Sequence, residues 1–118
     1  YTCFLAKDTR LPMIFMDEAI KATLQLMEAP KESIKTRTSY NLAGLSFTPE
    51  EIAAEIKKTI PNFAISYEPD FRQQIAESWP QVIDDKQARA DWAWQSNYTL
   101  KDITETMILK LQEQLTFA

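Results

Sequence analysis

The side chains in this chain with a claim on chemistry are three acidic pairs, three tryptophans, two arginines and one cysteine. The pairs Asp17-Glu18, Glu50-Glu51 and Asp84-Asp85 are of the type that performs general acid/base work. Each also stands where a helix would begin, and carboxylates there answer free N–H groups and the positive end of the helix dipole. Capping therefore explains all three without invoking catalysis. Histidine is absent from the 118 residues, which removes the commonest general base and metal ligand. No Asp/Asn/Gly pattern of a calcium loop replaces it, so no metal is expected. Cys3 has no histidine to activate it and reads as packing. Glycine occurs once, at Gly44, whereas a phosphate-cradling loop or a dinucleotide fingerprint needs several. The chain thus reads as part of an active site whose chemistry lies elsewhere.

The tryptophans divide. Trp92 and Trp94 end a short helix and enter a loop, where aromatic anchoring in the core is the usual task. Trp79 lies in an irregular stretch between Ser78 and Pro80, and binding groups gather on such loops. It reads as a pocket wall or as packing. Arg10 and Arg72 are candidate anion contacts, because guanidinium pairs well with carboxylate or phosphate. A surface ion pair is the plainer alternative for both.

Positioning these groups falls to an alternation of short strands and helices. Tyr1–Leu5 alternates like a strand, and Asp8 to Arg10 make a turn. Leu11–Met16 is a short apolar run of the kind found in a covered strand. Asp17 is the expected N-cap of a helix over 17–29, with Ile20, Thr23, Leu24 and Met27 facing the core and Pro30 stopping it. Lys31 to Arg37 is the best surface-loop candidate, followed by a brief strand at Ser39–Leu42.

In Phe47-Thr48-Pro49-Glu50-Glu51-Ile52, Thr48 and Glu51 have the spacing of a capping box and Pro49 suits the first helical position. That helix buries Ile52, Ala53, Ile56 and Ile60 and ends at Pro61. Phe63, Ile65 and Tyr67 alternate as a strand, and residues 71–83 read as irregular or extended, with Trp79-Pro80 breaking any helix. Asp84, with Gln87 three residues on, opens a short helix through Trp92. Thr99 caps a last helix striped with Leu100, Ile103, Met107, Leu111 and Leu115. The expected class is α/β, a mixed single domain over 1–118 with a small sheet flanked by helices.

Composition excludes several partners. A formal charge of −4 with no basic stripe disfavours nucleic acid. The longest apolar run is far shorter than the roughly 20 residues of a membrane span, so no membrane is expected. One cysteine favours a reducing compartment. The chain opens at Tyr1 partway along a strand-like segment, and an N-terminal portion of a longer polypeptide is expected to precede it.

Four segments in order carry a resemblance: Leu-Pro-Met at 11–13, Tyr-Asn-Leu-Ala at 40–43, Ser-Phe-Thr-Pro at 46–49, and Ser-Trp-Pro at 78–80 followed by Asp84-Asp85. Thr9 to Ala19, an arginine-led strand running into an Asp and a helix, resembles the extended short-chain dehydrogenase/reductases, the NAD-dependent epimerase/dehydratase family. The four segments together resemble its short-chain type of L-threonine 3-dehydrogenase over nearly the whole chain.

The resemblance implies the C-terminal substrate-binding lobe of an NAD-dependent oxidoreductase that converts L-threonine to 2-amino-3-ketobutyrate. It implies a homodimeric parent in bacterial cytoplasm or mitochondrial matrix. NAD and the Tyr-x-x-x-Lys pair would belong to the N-terminal Rossmann portion. Accordingly, none of Tyr1, Tyr40, Tyr67 and Tyr98 has a lysine four residues later, and the lobe alone would be inactive. Trp79 is the first choice for a substrate-binding wall, with Arg72 and Arg10 behind it. Related nucleotide-sugar enzymes use arginines near those places for a diphosphate, but Gln73-Gln74 stands where they have a Gly-Asp step. A nucleotide-sugar epimerase/dehydratase lobe and a non-catalytic interaction module remain the alternatives.

Overall fold

The computed structural model describes residues 1–116. Its elements are β1 (Thr2–Cys3), β2 (Leu11–Met13), α1 (Met16–Glu28), β3 (Leu45–Phe47), α2 (Pro49–Thr59), β4 (Ser66–Tyr67), α3 (Arg72–Glu77), α4 (Lys86–Trp92) and α5 (Leu100–Thr116). The strands form two ribbons. β1 pairs in parallel with β4, Thr2 opposite Ser66 and Cys3 opposite Tyr67. β2 pairs antiparallel with β3, with Pro12 opposite Ser46.

Two small clusters hold these pieces. Cys3, Leu5 and Ala76 are buried together, with Phe4, Leu11, Ile65 and Tyr67 packed around them. Ala22, Ala88 and Trp94 form the second cluster, flanked by Tyr40, Leu42 and Trp92. Cys3, Trp92 and Trp94 therefore serve packing, as their types suggest. The Cα radius of gyration is 17.1 Å, against about 13.5 Å for a compact chain of this length. The elements are spread out, and much apolar surface stays uncovered.

Helix α2 starts as its sequence dictates. The Thr48 hydroxyl accepts from Glu51 N at 3.2 Å, while the Glu51 carboxylate accepts from Thr48 N at 2.8 Å. Helix α5 repeats the device with Thr99 and Asp102.

Elsewhere the structure departs from expectation. The strand expected at Ser39–Leu42 does not form. Tyr40 and Leu42 turn into the tryptophan cluster, and side chains satisfy the nearby backbone: Ala43 N donates to Asp85, and Ala43 O accepts from Trp94 Nε1. The run Leu11–Met16 is strand only to Met13 and is covered only in part: Leu11 packs on the first cluster and Phe15 is buried, while Met13, Ile14 and Met16 are exposed.

Asp17 is not the N-cap of α1. Phe15 holds that position without a side-chain cap, buried against the Tyr98 ring at 4.9 Å, and Asp17 reaches Lys110 instead. The expected core face of α1 is reversed. Ile20 and Leu24 are exposed and Met27 is 77% exposed, whereas Glu18 and Ala22 on the opposite face are buried. Alanine permits the close approach to Ala88 and Trp94. Glu18 is held by Ser96 Oγ at 2.6 Å and by the amides of Asn97 and Tyr98, so it ties α1 to the α4–α5 loop rather than capping its helix.

Residues 72–77, expected to be irregular, are helical. Asp70 accepts from Arg72 N, and Ala76 gains burial against Cys3 and Leu5. At α4, Asp85 occupies the N-cap without a capping bond, because its carboxylate accepts from Arg89 and Ala43 N. Gln87 donates to Asp91 rather than returning to the cap. On α5, Met107, Leu111 and Leu115 are exposed, so that stripe faces the core only in part.

Candidate functional site

A cavity of about 290 Å³ opens where β2, the 42–46 segment and the turn after α3 meet. Its walls are Pro12, Met13 and Ile14, then Leu42 through Ser46, then Trp79, Pro80, Val82 and Ile83. These are almost entirely apolar. Segments far apart in the chain thus converge: Leu-Pro-Met, Tyr-Asn-Leu-Ala, Ser-Phe-Thr-Pro and Ser-Trp-Pro each contribute at least one wall residue. The size falls just under the roughly 300–1,000 Å³ typical of small-molecule sites.

Local structure explains the convergence. β2 and β3 pair in register, which sets Pro12 beside Ser46. Gly44 then passes so close to β2 that an added Cβ would stand 2.5 Å from Met13 O and 2.9 Å from Ile14 Cα. The sole glycine of the chain is a point of close backbone contact, not a phosphate cradle. On the far side, Ser46 Oγ donates to Gln81 O, tying the Trp79 turn to β3.

The candidate residues lie in three different settings. Trp79 is 55% exposed and lines this cavity, and it also lines a smaller polar one with Asp8, Thr9, Arg10, Gln73, Ala76, Glu77 and Gln81. Arg10 shares that second cavity. Its guanidinium donates to Ser46 O at 2.6 Å and to Glu51 at 2.6 Å, bracing β3 against the start of α2. The Arg10 bond, with the Thr48 amide, holds the Glu51 carboxyl below its ordinary value.

Arg72 is separate from both cavities. It makes a forked pair with Asp70, 2.6 Å at the closest, and lies 3.4 Å over the Phe4 ring. Its hydrogen bonds hold the Asp70 carboxyl below the usual range. The structure therefore brings Arg10 and Trp79 together and leaves Arg72 apart. Sequence reasoning missed Gln73 as a tether of this region and Gly44 as its close contact. The isolated glycine between two short apolar runs was the available signal for the second.

Among the described residues no group of three His, Cys, Asp or Glu could hold a metal ion, and no helix is long and apolar enough to cross a membrane. Gly44 is packed against β2, and the sequence holds no glycine-rich turn of the kind that cradles a dinucleotide.

No protein-family model matches the chain. It is 47% identical over 109 residues to mitochondrial L-threonine 3-dehydrogenase of Bos taurus, covering 92% of this chain and 29% of that protein. It is 46% identical over 115 residues to an uncharacterised epimerase/dehydratase of Staphylococcus haemolyticus, covering 97% and 36%. Among solved structures, a GalE-like L-threonine dehydrogenase from Cupriavidus necator superposes with a TM-score of 0.90 at 54% identity, covering 94% of this chain and 40% of that one. The chain spans about a third of the length of the curated relatives it matches. With such identity carried over nearly all of its residues, the chain belongs to the family of L-threonine 3-dehydrogenases and epimerase/dehydratases and corresponds to a C-terminal part of those larger enzymes.

Proposed function

We propose that this chain is the substrate-binding part of an NAD-dependent enzyme that oxidises L-threonine to 2-amino-3-ketobutyrate. One observation carries the reading: the four segments that resemble threonine dehydrogenases are separated by up to 69 positions in sequence yet share one cavity, with Trp79 at its rim.

In this reading the cavity is half of a pocket, and the remainder of the parent polypeptide supplies the other half together with NAD and the proton-accepting groups. Trp79, Met13 and Ile14 exclude water from the reacting carbon, and the rigid indole limits the poses a small amino acid can take. The bare face of α1, running from Met16 through Ile20 and Leu24 to Met27, then has an occupant, because the parent's remaining residues cover it. Arg10 acts one step back by holding Ser46 on the cavity wall. Arg72, paired with Asp70 and laid over Phe4, is the weakest of the three for substrate contact. Isolated, the chain is inactive.

The test is NAD-dependent oxidation of L-threonine by the full-length parent, followed by nicotinamide absorbance, with a panel of nucleotide sugars alongside. Turnover of threonine supports the reading, and Trp79→Ala is then expected to raise KM for threonine while leaving NAD binding intact. Conversion of a sugar nucleotide without threonine turnover would overturn it in favour of an epimerase or dehydratase.

A further inference from the structure

We propose that Gln73 is a positioning residue for Trp79, setting where the indole stands at the rim of the cavity; this rests on the reading of Trp79 as a substrate wall. Helix α3, Arg72–Glu77, has six residues; Phe71 at its N-cap offers no side-chain bond, and the Asp70 carboxylate before it accepts from one helix amide, that of Arg72, so the helix has little stability of its own. Its one buried residue is Ala76. Trp79 follows two residues after the helix, its amide donating to Ala76 O at 3.2 Å. Being more than half exposed, the indole gains little positioning from packing. The place of Trp79 is set on one side by the way α3 is held and on the other by the Ser46 Oγ bond to Gln81 O.

Beside the burial of Ala76 and the Asp70–Arg72 pair, Gln73 is the side chain that ties the helix to the β1–β2 turn. Its Oε1 accepts from Ala6 N at 2.9 Å and from the Thr9 hydroxyl at 3.1 Å. Its Nε2 donates to the Thr9 hydroxyl at 2.9 Å and to Glu77 Oε1 at 2.8 Å. One amide therefore ties the β1–β2 turn, which also carries Arg10, to both ends of α3. Glycine at this position would supply none of these bonds. A shorter or apolar side chain would leave Ala6 N, part-buried, without its acceptor.

The experiment uses the full-length parent and a double-mutant cycle between Gln73→Leu and Trp79→Ala, reading KM and kcat for threonine, KM for NAD, and Tm. Gln73→Leu is expected to raise KM for threonine about tenfold, the scale of a lost hydrogen-bond network, with KM for NAD unchanged. In the Trp79→Ala background the same change is expected to add nothing further, because the two act as one unit. Exchanging the pair, Gln73→Glu with Glu77→Gln, keeps an acceptor for Ala6 N and reverses the donor between positions 73 and 77. It is expected to recover most of the loss, which a general folding defect would not do.

Losses that add independently, or a fall in Tm that weakens threonine and NAD alike, would overturn the Gln73 assignment while leaving the proposed function standing. A parent that does not oxidise threonine at all would instead bring down the reading on which it rests.

Discussion

Helices α1 and α2 have the same apolar periodicity and opposite fates. α2 buries Ala53, keeps Ile52 and Ile56 half-buried and packs along α5. α1 turns its large apolar residues outward and buries only an alanine and a hydrogen-bonded glutamate. Period alone marks a face that must be covered; it does not say by what. In α1 the inner contact is set by small size, since Ala22 and Ala88 let the backbones approach and leave room for Trp94. The outer face, with Met16, Ile20, Leu24 and Met27, stays exposed.

The inner side of α1 offers the largest test of this contrast. Trp94→Ala removes the largest fully buried side chain and is expected to lower the stability of the full-length protein by about 3–5 kcal/mol, measured by denaturant unfolding. A loss near that of an ordinary surface change would show that the cluster does not anchor the helix.

Next in size is the outer side. Ile20→Ser with Leu24→Ser is expected to cost roughly 1.5–3 kcal/mol per side chain in the full-length protein and to stay within about 0.5 kcal/mol in the 118-residue chain alone. Unfolding curves for both lengths decide it, and equal effects would mean that the outer face has no partner.

On α2, Thr48→Ala breaks the capping box and is expected to cost about 1 kcal/mol, visible as an earlier urea midpoint. The smallest expected effect is a gain. Ala93 closes α4 with a left-handed φ of 58°, a conformation disfavoured for any residue with a Cβ. Ala93→Gly is expected to raise stability by about 0.5–1 kcal/mol in the same assay.

What the sequence made legible follows the range of the interactions involved. The capping box at Thr48 and Glu51 was readable because its partners are three residues apart and nothing distant competes for them. The similar pattern at Asp84 and Gln87 misled, because the helix begins one residue later with Asp85 at its N-cap, Asp84 turns to Lys86, and Gln87 donates to Asp91. Glu18 looked like a first-turn carboxylate, yet its partners lie 78–80 positions away. The cavity was legible only as separate segments, since nothing local in Leu-Pro-Met or Ser-Trp-Pro announces that β2 and the end of α3 meet. The helical stretch at 72–77 was hidden for a related reason, because Ala76 is drawn in by Cys3 and Leu5 from the opposite end of the chain.

The β1–β4 pair has a kinetic consequence. Thr2 and Ser66 stand 64 positions apart, and their parallel ladder cannot close until the intervening β2, α1, β3 and α2 have been made. At a synthesis rate of about 5–20 residues per second, Cys3, Phe4 and Leu5 wait on the order of several seconds without their strand partner. A nascent chain in that interval presents a sticky, unpaired edge, so the yield of correctly folded protein should depend on translation speed and chaperone supply more than its final stability would suggest.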